Sequence, residues 1–163
     1  MKMIVVLRCA ETKGCCSQLT KTGTENVRKV AAKLEKIFKG QKILIISSIM
    51  DRAVGTADEL NERLCAEVKE SSALLIEGHP DIDSRNDSML AAVKDHKDKY
   101  DAIVLVTHLE AVETFPKYFY NSYIGKIEWG IKENISNACG WLINCETGDR
   151  LFISPEAKPT ARY

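Results

Sequence analysis

No stretch of this chain is apolar for long enough to cross a bilayer, which takes about 20 residues. The first apolar run, Met3 to Leu7, is also too short for the core of a secretory signal, and Arg8 closes it. These absences predict a cytoplasmic protein with no membrane partner. There is no excess of charge: Lys plus Arg and Asp plus Glu are each 23, for a net charge of zero. That excludes a generally electrostatic nucleic-acid binder and leaves room only for a local basic pocket. There is no CxxC pair, the spacing that marks most zinc and thioredoxin-like sites. Internal repeats and linker-like segments are absent too, so the 163 residues are read as one domain, 1–163.

Six cysteines are present: Cys9, Cys15, Cys16, Cys65, Cys139 and Cys145. In a reducing compartment these are free thiols, mostly packed as small hydrophobes. Cys9, Cys15 and Cys16 cluster in sequence, so a metal- or redox-sensing module completed by a histidine is one reading of the chain.

The apolar pattern sets the fold class. Ile4–Leu7, Ile43–Ile46 and Ala102–Val106 are unbroken, largely β-branched runs, the signature of strands buried on both faces of a parallel sheet. Ala73–Ile76 reads as a shorter third strand of the same kind. Between these runs, apolar residues recur at three- and four-residue spacing. They predict helices over 24–39 (Val27, Val30, Ala31, Leu34, Ile37), from near Asp51-Arg52 onward (inner stripe Ala53, Thr56, Ala57, Leu60, Leu64), over about 84–99 and from Leu109 or Glu110 to about 120. Thr22 with Glu25, and Ser48 with Asp51, have capping-box spacing, Gly40 supplies a helix stop, and Pro116 is expected to kink the last helix. Residues 121–137 form a long connection holding Trp129, read as core or lid. Ala138–Cys145 and Arg150–Ser154 flank a glycine-containing turn and predict a hairpin, followed by a polar tail. The whole is an α/β fold: a three-layer α/β/α sandwich with a mainly parallel central sheet and a C-terminal antiparallel hairpin.

In such sheets ligands bind beyond the carboxyl ends of the strands. Arg8-Cys9, Ser47 to Arg52, Glu77 and Thr107-His108 all fall there. Arg52 sits in the first turn of a helix, where a cation opposes the helix dipole, which hints at a role outside the helix. Two guanidinium groups converging on one point suit a phosphate or another oxyanion, and helix N-termini add to that field.

Four motifs in order carry a family resemblance. Leu7-Arg8-Cys9-Ala10-Glu11-Thr12 resembles the Leu-Arg-His-Gly-Glu-Thr signature of the histidine phosphatase (phosphoglycerate mutase-like) superfamily. Leu19-Thr20-Lys21-Thr22-Gly23 is similar to its Leu-Thr-x-x-Gly. Ser47 to Ala57 is similar to its Ser-Ser-x-x-x-Arg-Ala-x-x-Thr-Ala, and Val106-Thr107-His108 to its second histidine motif. The short length, His108-Leu109 and the closing hairpin are most similar to the small phosphohistidine phosphatase branch. The resemblance implies that Arg8, Arg52 and His108 hold a phosphoryl group, that position 9 carries the nucleophile, and that a carboxylate protonates the leaving group. Glu77 is the candidate acid, with Asp81 and Asp83 in competition. No cofactor and no metal are implied, and the expected partner is a phosphorylated small molecule or a phosphoprotein.

The departure is at the nucleophile. Cys9 stands where the family has histidine, Ala10 replaces its glycine, and Cys15 stands where many members carry a phosphate-contacting asparagine. A thiolate lowered in pKa by Arg8 and Arg52 is a good nucleophile. But an imidazole reaches farther from its Cα than a thiol does, and a misplacement of about 1 Å can cost on the order of 10²-fold in rate. The Cys-x5-Arg loop of thiol phosphatases is missing as well. The sequence therefore predicts a phosphate-pocket protein with a degenerate active site and little or no normal turnover. The alternatives are an active phosphatase using Cys9 or His108 as nucleophile, and the cysteine-based sensing module.

Overall fold

The computed structural model describes residues 1–14, 18–125 and 134–156, and the backbone of 160–162. Trp129, Cys15 and Cys16 lie outside these residues. The elements follow in the order β1 (Met3–Arg8), α1 (Lys21–Ile37), β2 (Ile43–Ser48), α2 (Asp51–Leu64), β3 (Glu67–Ser71), a 3₁₀ turn (Ser72–Leu74), α3 (Ile82–Lys94), β4 (Ala102–Thr107), α4 (Leu109–Tyr123), β5 (Gly140–Asn144), β6 (Arg150–Ile153) and β7 (Thr160–Arg162). The strands form one sheet in the order β3-β2-β4-β1-β5-β6-β7. The first four in that order run parallel, and β5, β6 and β7 add on antiparallel.

The two faces are covered by different helix pairs. Val5, Leu7, Ile45, Val104 and Val106 point to the α1–α2 side with Val27, Val30, Leu34, Ala53, Ala57 and Leu60. Ile4, Val6, Leu44, Ile46, Ile103 and Leu105 point to the α3–α4 side with Met89, Val93, Val112, Phe115 and Phe119. The alternation follows from the period of two along each strand. It explains why β1, β2 and β4 read as unbroken apolar runs: both of their faces are buried. The predicted three-layer sandwich with a mainly parallel sheet and a closing hairpin is the fold observed. Among the described residues, no helix is long and apolar enough to cross a membrane.

Several boundaries differ from expectation. The third strand is Glu67–Ser71, not 73–76. It lies at the sheet edge and is largely exposed, so it needs no apolar run, and its charges discourage pairing with another chain. The 73–76 run instead enters a 3₁₀ turn whose Leu74 is fully buried and accepts a bond from Thr107 Oγ1 (2.9 Å). Thr20, not Thr22, caps α1, accepting from Gly23 N at 2.9 Å. Met50 is the N-cap of α2 and makes no side-chain capping bond. Asp81 caps α3 through Ser84 N (2.7 Å), so that helix begins at Ile82. Part of the polar tail, Thr160–Arg162, pairs as strand β7.

Candidate functional site

The site lies at the carboxyl edge of the parallel strands. β1 and β4 remain joined one residue past β1, where Cys9 N donates to Thr107 O at 2.8 Å. The chain then turns across α2. Ala10 N donates to Thr56 Oγ1 (2.9 Å), and that hydroxyl donates to Arg52 O (2.7 Å). One buried threonine thus fixes the loop after β1 to the helix turn that carries Arg52. Further along, Thr20 N donates to Glu11 O (3.0 Å). Gly23 is required beside it, because a Cβ there would stand 2.4 Å from Glu11 O.

Arg8, Cys9, Arg52 and His108 come together around one cavity of about 310 Å3, with Ala10, Glu11, Thr12, Leu109, Glu110 and Asn137 completing its lining. The Arg8 guanidinium donates through Nη1 to Ile135 O at 2.6 Å. Arg52 donates through Nε to His108 Nδ1 at 3.2 Å. Because Nδ1 accepts that bond, Nε2 carries the ring proton and donates to Ser48 Oγ at 3.0 Å. His108 is the N-cap residue of α4 but makes no side-chain cap bond; its ring, held by Arg52 and Ser48, lies in the lining of the cavity instead. Neither Arg8 nor Arg52 is ion-paired to a carboxylate among the described residues. They donate to neutral acceptors, which leaves their charge uncancelled by direct contact.

The electrostatics follow from burial. His108 is 2% exposed, and burial, helped by the Arg52 charge, lowers its pKa to about 4. It is a neutral imidazole at physiological pH. Burial pushes the Cys9 thiol up, and this outweighs the opposing pull of Arg52 and Arg8. The arginine-lowered thiolate, the alternative weighed from the sequence, is not favoured here: burial holds Cys9 towards the thiol, with Sγ 3.8 Å from His108 Nδ1.

The three carboxylates named from the sequence lie elsewhere. Glu77 is exposed and does not line the cavity. Asp81 is engaged in capping α3, and Asp83 is exposed in the first turn of that helix. The carboxylates at the cavity are Glu11 and Glu110. The signal for Glu110 is its place two positions beyond His108 in the first turn of a helix, where side chains stay close to the N-cap. Ser48 and Thr56 sit inside the quoted Ser-Ser and Thr-Ala motifs, yet their hydrogen bonds depend on packing between elements. Among the described residues, no group of three His, Cys, Asp or Glu side chains is arranged to hold a metal.

No family model matches the chain. No curated protein matches it either. Solved structures do. The protein histidine phosphatase SixA complexed with tungstate is 17% identical, with a TM-score of 0.61 over 94% of this chain and 97% of that one. A phosphoglycerate mutase from Plasmodium falciparum is 18% identical, with a TM-score of 0.61 over 100% of this chain and 97% of that one. A mycobacterial glucosyl-3-phosphoglycerate phosphatase is 16% identical, with a TM-score of 0.58 over 96% and 99% of the two chains. The similarity covers nearly the whole length of each chain, sheet and helix layers together, so this chain has the histidine phosphatase fold.

Proposed function

We propose that this protein binds a phosphoryl group between Arg8, Arg52 and His108 and turns it over slowly or not at all. Its ligand is a phosphorylated small molecule or a phosphoprotein, met in the cytoplasm. The observation that carries this reading is the convergence of two guanidinium groups and an imidazole on one cavity, neither arginine being ion-paired among the described residues. Guanidinium forks match the geometry of phosphate oxygens. The N-terminus of α4, a helix of 15 residues, opens at the same cavity and favours an anion there. A structure of the same fold is complexed with tungstate, a tetrahedral oxyanion.

The state of Cys9 supports weak turnover. A buried thiol with a raised pKa is a poor nucleophile until it is deprotonated, and the neighbouring imidazole is a weak base. A second reading, an active phosphatase attacking through Cys9, draws on the 3.8 Å approach of Sγ to His108 Nδ1. Hydrolysis of p-nitrophenyl phosphate by the wild type, Cys9→Ser and Cys9→His separates the two. The proposal expects little activity in wild type and Cys9→Ser, and a gain in Cys9→His. Ready hydrolysis by the wild type that disappears in Cys9→Ser overturns it.

A further inference from the structure

Phosphate pockets gain affinity from positive charge, yet this one is lined by as many carboxylates as arginines: Glu11 and Glu110 beside Arg8 and Arg52. Glu11 has a local task, since its Oε2 accepts from Thr20 Oγ1 at 2.8 Å where the chain enters α1. Glu110 is different. Its side chain is exposed, and no hydrogen bond or ion pair holds its carboxylate among the described residues. Its charge reaches into the site, acting to raise the pKa of both Cys9 and His108 against larger opposing or concurring effects of burial.

The backbone beneath Glu110 is held from the other side. Arg85 is 4% exposed, and its Nη2 donates to Glu110 O (3.3 Å) and Thr114 Oγ1 (2.8 Å). This ties α3 to the first turn of α4 and fixes the position from which the Glu110 side chain reaches the cavity. An acidic residue in the first turn of a helix is ordinary by itself, since it complements the dipole. That role asks only for charge at the helix end, not for a place in the lining of an oxyanion pocket.

We infer that Glu110 sets ligand specificity: it selects a phosphoryl group whose own molecule carries a cationic group a few bonds away, as in an aminoalkyl phosphate. This rests on the phosphate-pocket reading and narrows it. A phosphoryl dianion held by Arg8, Arg52 and His108 is repelled by Glu110. An ammonium group beside the phosphoryl group turns that repulsion into attraction. The ligand's anion then faces the guanidinium groups, and its cation faces the carboxylate.

The test compares inorganic phosphate, ethyl phosphate and O-phosphorylethanolamine by calorimetric titration of wild type, Glu110→Gln and Glu110→Asp. It is run at about pH 8 and low ionic strength, where surface electrostatics are least screened. The wild type is expected to bind O-phosphorylethanolamine about threefold more tightly than ethyl phosphate, the scale of one partly exposed ion pair. Glu110→Gln should tighten phosphate and ethyl phosphate and weaken O-phosphorylethanolamine, so that the preference disappears or inverts. Glu110→Asp should keep the wild-type order. Equal shifts of all three probes in Glu110→Gln, or an unchanged preference, overturn the inference while leaving the phosphate pocket standing. Absence of binding of every probe to the wild type, or binding indifferent to Arg52→Ala, overturns the pocket reading and the inference with it.

Discussion

Two cavities of this molecule are lined by arginine and glutamate, and they treat those charges in opposite ways. The groove between α1 and α2, about 540 Å3, holds Arg28, Glu35, Glu59, Glu62 and Arg63. There, each arginine meets a glutamate at 2.6 Å, Arg28 with Glu59 and Arg63 with Glu35. The cavity at the sheet edge holds Arg8 and Arg52, and these donate to a carbonyl and an imidazole instead. Both arginines of the larger cavity are thus neutralised by direct contact, Glu62 adds a further carboxylate, and the groove reads as a solvated seam between two helices. In the smaller one neither guanidinium group is ion-paired among the described residues, so both stay available to an anion even though Glu11 and Glu110 share the lining. Volume ranks the two one way and charge pairing ranks them the other, and charge pairing is the better guide to where an anion goes.

The largest effect expected from this contrast lies at His108. Its pKa of about 4 means that the unfolded chain, with an ordinary histidine near 6.5, binds a proton more readily than the folded one. Stability from this group is fully present above pH 6.5 and is lost progressively as the pH falls to about 4. Chemical denaturation of wild type and His108→Gln across this window should show a wild-type loss, absent from the variant, of at most about 3 kcal/mol. Parallel curves for the two proteins would mean that the ring is not held neutral by burial and Arg52. Next in size, Arg52→Ala should weaken inorganic phosphate binding by about tenfold or more, the scale of a charge-assisted hydrogen bond. Arg28→Ala, in the other cavity, should leave it unchanged, and a comparable loss there would erase the distinction between the two sites. The smallest effect is on stability in the helix groove. Arg63→Ala should cost about 0.5 kcal/mol or less in thermal or denaturant unfolding, and less again in high salt.

Much of the fold is legible in the sequence because its strands are buried on both faces. Ile4–Leu7, Ile43–Ile46 and Ala102–Val106 announce themselves by composition, and the helix stripes between them by period. The third strand is not legible. At the sheet edge, Glu67–Ser71 is paired on one side only and carries charge, whereas the apolar run after it serves to plug Leu74 beneath β4. A run of apolar residues says that something is buried, not which conformation buries it. The site divides similarly. Arg8, Cys9, Arg52 and His108 stand at strand or helix ends, and the topology alone brings such ends together. Which carboxylate joins them depends on the path of the 75–81 loop, which no periodicity describes. Glu77 follows an apparent strand end and so looks like the acid of the site, while Glu110 is the one that lines the cavity with Glu11. The ionisation of Cys9 escapes the sequence for a related reason: neighbouring arginines are visible there, but the degree of burial that outweighs them is not.

The hydrogen bonds around His108 join residues 56 and 60 positions apart, and its contact with Cys9 spans 99. The pocket is therefore built from long-range contacts and is complete only when β1, β2 and β4 are all paired. An oxyanion seated there bridges segments from the first strand, the second helix and the fourth strand. It would act as a removable staple, stabilising the folded chain in proportion to the logarithm of its concentration once that exceeds the dissociation constant.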